Sequence, residues 1–104
     1  MPDSPKIAVI GHFRIPPERL DEARPMMAKI IAATRAEDGC IAYSYAEDVA
    51  EPGLIRVSEL WESREHLAVH FKSEHMAVWA EERAGLGLTE RDIAAYRLNG
   101  KEAL

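Results

Sequence analysis

Four histidines, and one glutamate placed between apolar residues, are the side chains of this sequence best suited to proton transfer. The glutamate is Glu59, which alternates with Val57 and Trp61 on one face of a predicted strand. An ionised carboxylate in such a setting is costly unless it takes up a proton or pairs with a cation. A Glu–His pair there would serve acid–base chemistry, because burial moves both pKa values into a useful range. The histidines are His12, His66, His70 and His75.

The spacing of three of these histidines favours one shared site. His70 lies on the apolar stripe of a predicted helix, one turn after His66, and His75 opens the next helical segment. A metal ion bound by His66 and His70, with Glu59 or His75 as a third ligand, is an alternative interpretation. Histidines one turn apart are common, however, and no pair of cysteines supports such a site, so we expect no metal.

The composition excludes several classes of protein. The 104 residues fit one domain, predicted as a core at about 6–98 with a polar tail at 99–104. The net charge of −5 disfavours nucleic-acid binding, which needs a surplus of cations. No apolar stretch approaches the roughly 20 residues of a membrane helix, and the first five residues lack the pattern of a secretory signal. The single cysteine, Cys40, is typical of a reducing compartment, so we expect a cytoplasmic protein.

The elements that must position the candidate residues follow the order βαββαβ. Apolar and β-branched runs predict strands at 6–14, 40–47, 54–62 and 92–98. Helical periodicity predicts helices at 17–37, 64–72 and 74–84. Pro25 should interrupt the first helix, and Ser63 and Ser73 should cap the next two. This pattern predicts an α+β, ferredoxin-like fold, with a four-stranded antiparallel sheet and its helices on one face.

The second face of this sheet is also expected to be covered. The first strand carries Ile7 and Val9 on one side, but Ala8 and Ile10 on the other. Because the helices can cover only one face, the apolar residues of the other face predict a homodimer in which two sheets face each other.

Four segments of the chain resemble the antibiotic biosynthesis monooxygenase domain family, and especially its small quinol monooxygenase-like members. In order, they are Glu37–Tyr43, Glu59–Ser63, His66–His70 and Ser73–Met76. The resemblance runs from about Lys6 to Leu98. It implies a dimeric α+β barrel, in agreement with the dimer inferred above from the strands.

The resemblance also implies an activity, the oxidation of quinols or anthrones by O₂ without flavin, haem or metal. It implies that Glu59, Trp61, His70 and His75 line the pocket. For proton transfer there, we expect His70 to be the base or hydrogen-bond partner, Glu59 to orient it, and His75 to assist at the pocket mouth. The expected substrate-binding residues are Trp61, Phe71, Trp79, His12 and Tyr43. His12 could face either the pocket or the dimer interface.

The chain differs from two related branches of the family at residues that their activities require, which reduces the number of expected reactions. Haem-degrading relatives carry an asparagine on the first strand, where this chain has Phe13, so haem is disfavoured. A branch that isomerises a small phosphorylated ketone has a lysine directly after the first histidine, where this chain has Phe71. Proton-shuttling isomerisation and non-catalytic binding of an aromatic ligand stay open as alternatives.

Overall fold

The computed structural model describes residues 5–104, and residues 1–4, which open the segment examined for a secretory signal, lie outside the described part. A short 3₁₀ turn, Pro17–Arg19, precedes the first helix. The elements are β1 (Ile7–Arg14), α1 (Leu20–Arg35), β2 (Cys40–Glu47), β3 (Leu54–Trp61), α2 (Arg64–Phe71), α3 (Glu74–Leu86) and β4 (Thr89–Arg97).

The four strands form one antiparallel sheet in the order β2-β3-β1-β4. The predicted βαββαβ order and the ferredoxin-like fold are confirmed, with the second helical layer divided into α2 and α3. Ser63 and Ser73 cap these two helices as predicted, accepting hydrogen bonds from the backbone N–H groups of His66 and Met76. No helix within residues 5–104 is long and apolar enough to cross a membrane.

The structure differs from the prediction most clearly in α1 and at the start of β4. Helix α1 runs through Pro25 without interruption. The proline removes one helical hydrogen bond, and the burial of Ala23 and Met27 against the sheet outweighs that loss. Strand β4 begins at Thr89, three residues earlier than expected, because the left-handed Gly87 ends α3 and leaves a link of only two residues.

The core lies between the helices and one face of the sheet, in two clusters that meet at Tyr45 and Ile93. The larger cluster contains Phe13, Ile15, Leu20, Ala23, Met27, Ile30, Ile55, Val57, Trp79 and Leu86. The smaller cluster contains Ile7, Val9, Tyr43, Trp61 and Leu67. The opposite face of the sheet, called the open face below, carries Ile10 and Tyr96 at 56% and 53% exposure.

The turn between α1 and β2 requires a glycine. Gly39 has a φ of 81°, and a Cβ at this position would lie 2.2 Å from Cγ of His66. Its carbonyl also accepts a hydrogen bond from the backbone N–H of Glu62. The turn therefore brings α1, β3 and α2 together within a few residues of Glu37.

We predict that Gly39→Ala destabilises the fold by about 1–3 kcal/mol, because alanine is strained at this φ and its methyl group overlaps the His66 ring. The control is Gly85→Ala, which has open space around it in α3 and should stabilise the chain by about 0.5–1 kcal/mol. Urea unfolding at one protein concentration measures both values. Equal stabilities for the two variants would contradict the role given to this turn.

Candidate functional site

Two histidines share one carboxylate oxygen. Oε2 of Glu37 lies 2.6 Å from Nδ1 of His70 and 2.7 Å from Nε2 of His75. A carboxylate can only accept hydrogen bonds, so both imidazole nitrogens donate to it. We call these three residues the histidine–glutamate cluster.

Three elements position this cluster. Glu37 follows the end of α1, where its backbone N–H donates to the carbonyl of Thr34. His70 lies in the last turn of α2, and its carbonyl accepts a hydrogen bond from the hydroxyl of Ser73 at 2.6 Å. Ser73 is also the N-cap of α3, which places His75 in the first turn of that helix. The short break between α2 and α3 therefore brings the two imidazole centroids to 6.1 Å.

His70 is the buried member of the cluster, with 1% exposure. Its ring centroid lies 4.8 Å from that of Trp61 and 5.5 Å from that of Tyr43. Burial lowers the pKa of His70 below its ordinary value, although the Glu37 carboxylate acts in the opposite direction. The imidazole is therefore neutral at pH 7, with its proton on Nδ1 and its lone pair on Nε2.

Glu59 is the second buried titratable group, with 9% exposure. Its Oε1 accepts a hydrogen bond of 2.9 Å from the indole Nε1 of Trp61. Burial raises the pKa of Glu59 to about 7, although the Trp61 hydrogen bond and the charge of Arg91 lower it. At neutral pH this carboxyl is therefore able both to accept and to donate a proton.

The row of side chains that runs across the sheet from Glu59 ends at an exposed residue of β4. In the register, Glu59 pairs with Val9 of β1, and Val9 pairs with Ala95 of β4, so the three side chains lie in one row. Val9 is buried but Ala95 is exposed. Within β4 only Ile93 is partly buried, so the helices leave the β4 end of this row uncovered.

A surface groove between two of the helices leads to His75. It has a volume of about 330 Å³ and lies between α1 and α3. Its lining residues are Lys29, Ile30, Glu74, His75, Val78 and Glu82. His75, at 28% side-chain exposure, therefore connects the histidine–glutamate cluster with solvent.

The structure brings six of the predicted site residues into one connected group: Glu59, Trp61, Tyr43, His70, Phe71 and His75. Trp61 connects Glu59 with the histidines, because the indole N–H donates a hydrogen bond to Glu59 while the indole ring packs on His70. The expectation that Glu59 orients His70 is wrong, since Glu37 makes that hydrogen bond.

The two other predicted residues, Trp79 and His12, lie elsewhere, whereas Phe71 lies at the exposed edge of the group, with its ring centroid 5.6 Å from that of His70. Trp79 belongs to the larger core cluster, where it contacts Phe13 and Tyr45. Phe71 is half exposed on α2, beside the guanidinium of Arg64. His12 lies on the open face, opposite the side on which His70 is buried, in register with Arg56 and Asp92.

Glu37 is the site residue that the sequence analysis missed. Its position before a helix-ending glycine predicted a turn and gave no reason to expect a bond to residues 33 and 38 positions later in the chain. The available signal was the segment Glu37–Tyr43, which belongs to the family resemblance and contains this carboxylate.

The chain is similar to known proteins over most of its length. A family model described as antibiotic biosynthesis monooxygenase matches residues 6–82. The Mycobacterium tuberculosis protein named "Putative monooxygenase Rv0793" is 36% identical over 69 residues, which cover 66% of this chain and 67% of that protein. The Synechocystis protein named "Uncharacterized protein sll1783" is 28% identical over 98 residues, which cover 94% of this chain and 67% of that protein.

Solved structures have the same fold. The structure of Rv0793 matches with a TM-score of 0.70 at 31% identity and covers 94% of this chain and 97% of its own. A Deinococcus radiodurans structure described as a "putative antibiotic biosynthesis monooxygenase" has a TM-score of 0.88 at 24% identity, with the same coverage of both chains. At 24% identity, the similarity to the Deinococcus radiodurans structure shows a shared fold.

We predict that Glu59 makes the stability of the fold depend on pH. Unfolded glutamate titrates near 4.5 and the folded carboxyl near 7. Between these pH values the folded chain holds a proton that the unfolded chain has released, so the contribution of Glu59 to stability falls as pH rises.

Glu59→Gln removes this titration while keeping an acceptor for Trp61. Its free energy of unfolding relative to the wild type should therefore rise by about 3 kcal/mol from acid to neutral pH and stay constant at higher pH. Urea unfolding of both proteins at several pH values tests this. A difference that does not change with pH would contradict the raised pKa of Glu59.

Proposed function

Since the chain belongs to the antibiotic biosynthesis monooxygenase family, we propose that it oxidises a hydroxyaromatic substrate of the quinol or anthrone class with O₂. The observation that carries the proposal is the buried carboxyl of Glu59, which is held by the Trp61 indole and is separated from the uncovered strand β4 by strand β1 alone. The proposed reaction uses no flavin, haem or metal. Its partners are the small aromatic substrate and O₂.

Glu59 is the proposed proton acceptor. A general base works best when its pKa lies near the working pH, and burial raises the pKa of Glu59 to about 7. Removal of a proton, from the hydroxyl of a quinol or from the ring CH₂ of an anthrone, makes the substrate an electron-rich anion, which can pass an electron to O₂. The positive charge of Arg91, which acts on Glu59, would also stabilise this anion.

The atoms balance for an anthrone. The substrate loses two hydrogens at one ring carbon, that carbon gains one oxygen atom from O₂, and the second oxygen atom leaves with both hydrogens as water. Glu59 takes one of the two protons first and returns it to the reduced oxygen. The protein therefore needs to supply a base, an apolar surface and protection from bulk water.

The proposed place for the aromatic ring is the uncovered part of β4, over Ile93 and Ala95. This position sets the substrate hydroxyl toward Glu59 along the row of side chains described above. His70 acts as a positioning residue, because its ring packs on the indole that bonds Glu59. Glu37, which also accepts a hydrogen bond from His75, in turn fixes the ring of His70 through its Nδ1.

A second copy of the chain is the proposed partner of the open face. Ile10, on the inner strand β1, and Tyr96, on β4, are more than half exposed there. Large apolar side chains in the middle of a sheet face are stable in water when another layer covers them. A two-fold dimer in which the open faces pack together would bury both residues in each protomer.

We predict that the wild-type chain consumes O₂ in the presence of a member of a panel of quinols and anthrones, after treatment with a chelator. Glu59→Gln should lower the rate by about 10²- to 10⁴-fold, because the base is lost. The matched control is Glu62→Gln, an exposed glutamate just past the same strand, which should keep the wild-type rate. His70→Ala should lower the rate and shift the pH profile, since it releases the Trp61 indole.

The result against the proposal is an O₂ uptake no faster than the uncatalysed reaction across the whole panel. Exchange of solvent deuterium into a phosphorylated ketone without O₂ would favour an isomerase instead. Tight binding of an aromatic ligand without any turnover would favour a carrier.

We also predict that Ile10→Glu separates the dimer, because it places a charge in the centre of the apolar interface. The control is Val49→Glu, since Val49 is fully exposed in the loop between β2 and β3. Sedimentation velocity over a range of protein concentrations measures the mass of each species. A wild-type chain that stays monomeric at high concentration would contradict the proposed partner.

A further inference from the structure

We propose that the histidine–glutamate cluster is a binding site for a divalent first-row transition-metal ion, of the kind represented by Zn²⁺ and Co²⁺. The ligand atoms are Oε2 of Glu37, Nδ1 of His70 and Nε2 of His75, which all lie within 4.8 Å of one another. This site goes beyond the proposed function, in which the same three residues act only by positioning and no metal takes part.

The donor set selects the class of ion. Two imidazole nitrogens with one carboxylate oxygen suit zinc and its neighbours, whereas Mg²⁺ and Ca²⁺ prefer oxygen ligands alone. Three protein ligands also leave a fourth position free for water or another small molecule.

The geometry needs a local rearrangement, in which the nitrogens move away from the shared oxygen and toward each other, since the three atoms lie within 4.8 Å of one another. In the structure the two nitrogens lie 2.6 and 2.7 Å from the shared oxygen. Ligands of a tetrahedral zinc ion are separated by roughly 3.3 Å, given bonds of about 2.0–2.1 Å. Each nitrogen therefore has to move away from the oxygen by less than about 1 Å, while the ion takes the place of the two N–H hydrogens.

The surroundings hold the ligands and leave a route for the ion. His70 is fixed by its packing on Trp61 and by the bond from Ser73 to its carbonyl. His75 lines the groove between α1 and α3, which also contains Glu74 and Glu82. Nζ of Lys29 lies 2.8 Å from Oε2 of Glu82 and neutralises that carboxylate. The negative charge of Glu74 then attracts cations into the groove.

The sequence could not reveal this set of ligands. The spacing of His66 and His70 suggests a pair one turn apart, but Nδ1 of His66 lies 2.7 Å from the hydroxyl of Ser63, at the other end of α2. His70 instead meets His75 across the break between α2 and α3. Glu37 comes from a separate part of the chain.

The test is a titration of chelator-treated protein with Co²⁺, followed by visible absorption and repeated with Zn²⁺ as competitor. The wild type should bind one ion per chain. His75→Ala and Glu37→Gln should each weaken binding by at least the roughly 10- to 100-fold that loss of an outer hydrogen-bond partner costs. His66→Ala, which removes a neighbouring imidazole outside the cluster, should bind as the wild type does.

Two results would overturn the site, namely no Co²⁺ band with the wild type, or equal affinity in the wild type and both cluster variants. Thermal unfolding of each variant identifies loss of fold, and Glu37→Gln keeps the size of the side chain it replaces. Glu59→Gln separates this proposal from the function proposed above. It should lose oxidation but bind Co²⁺ with unchanged affinity, so either proposal can fail without the other.

Discussion

The cost of taking ionisable side chains out of water shapes the centre of this protein. Two such groups, His70 and Glu59, are buried on either side of Trp61, and the cost of burying each one is offset in a different way. His70 donates to a carboxylate, which supports the imidazole in one tautomer. Within residues 5–104 the side chain of Glu59 accepts a hydrogen bond only from the indole N–H of Trp61, and burial raises its pKa to about 7. The burial of Glu59 lowers the stability of the fold at neutral pH, and it also supplies a carboxyl able to exchange protons at physiological pH.

Local signals in the sequence were enough to predict the elements and their order. The serines that cap α2 and α3, the glycine after α1 and the alternation along β3 act within a few residues, so each can be read without the rest of the fold. The uninterrupted α1 shows the limit of this reasoning. Pro25 is unfavourable by itself, but the packing of the helix on the sheet decides the outcome.

The sequence was enough to predict most residues of the site, but not the hydrogen bonds between them. Alternation placed Glu59 beside Trp61, and helical spacing placed His70 on the buried face of α2. The choice of partner for His70 depended on how the end of α1 meets the break between α2 and α3, which no spacing along the chain encodes. Phe71 adjoins His70 in sequence and its ring contacts the imidazole, but it is half exposed, because neighbours on a helix lie about 100° apart. His12 follows the strand alternation onto the open face.

The strand order has a consequence for how the chain avoids fibrils. β2 and β4 are the edges of the sheet, where unpaired backbone groups can recruit strands from unfolded copies. The outer strand β4 carries charges at Glu90, Arg91, Asp92 and Arg97, which discourage such addition. β2 has a single charge, at its last residue, but the guanidinium of Arg35 donates to the backbone carbonyl of Tyr43 at 2.8 Å. One arginine at the end of a helix thereby occupies an acceptor that a misfolded neighbour would otherwise use.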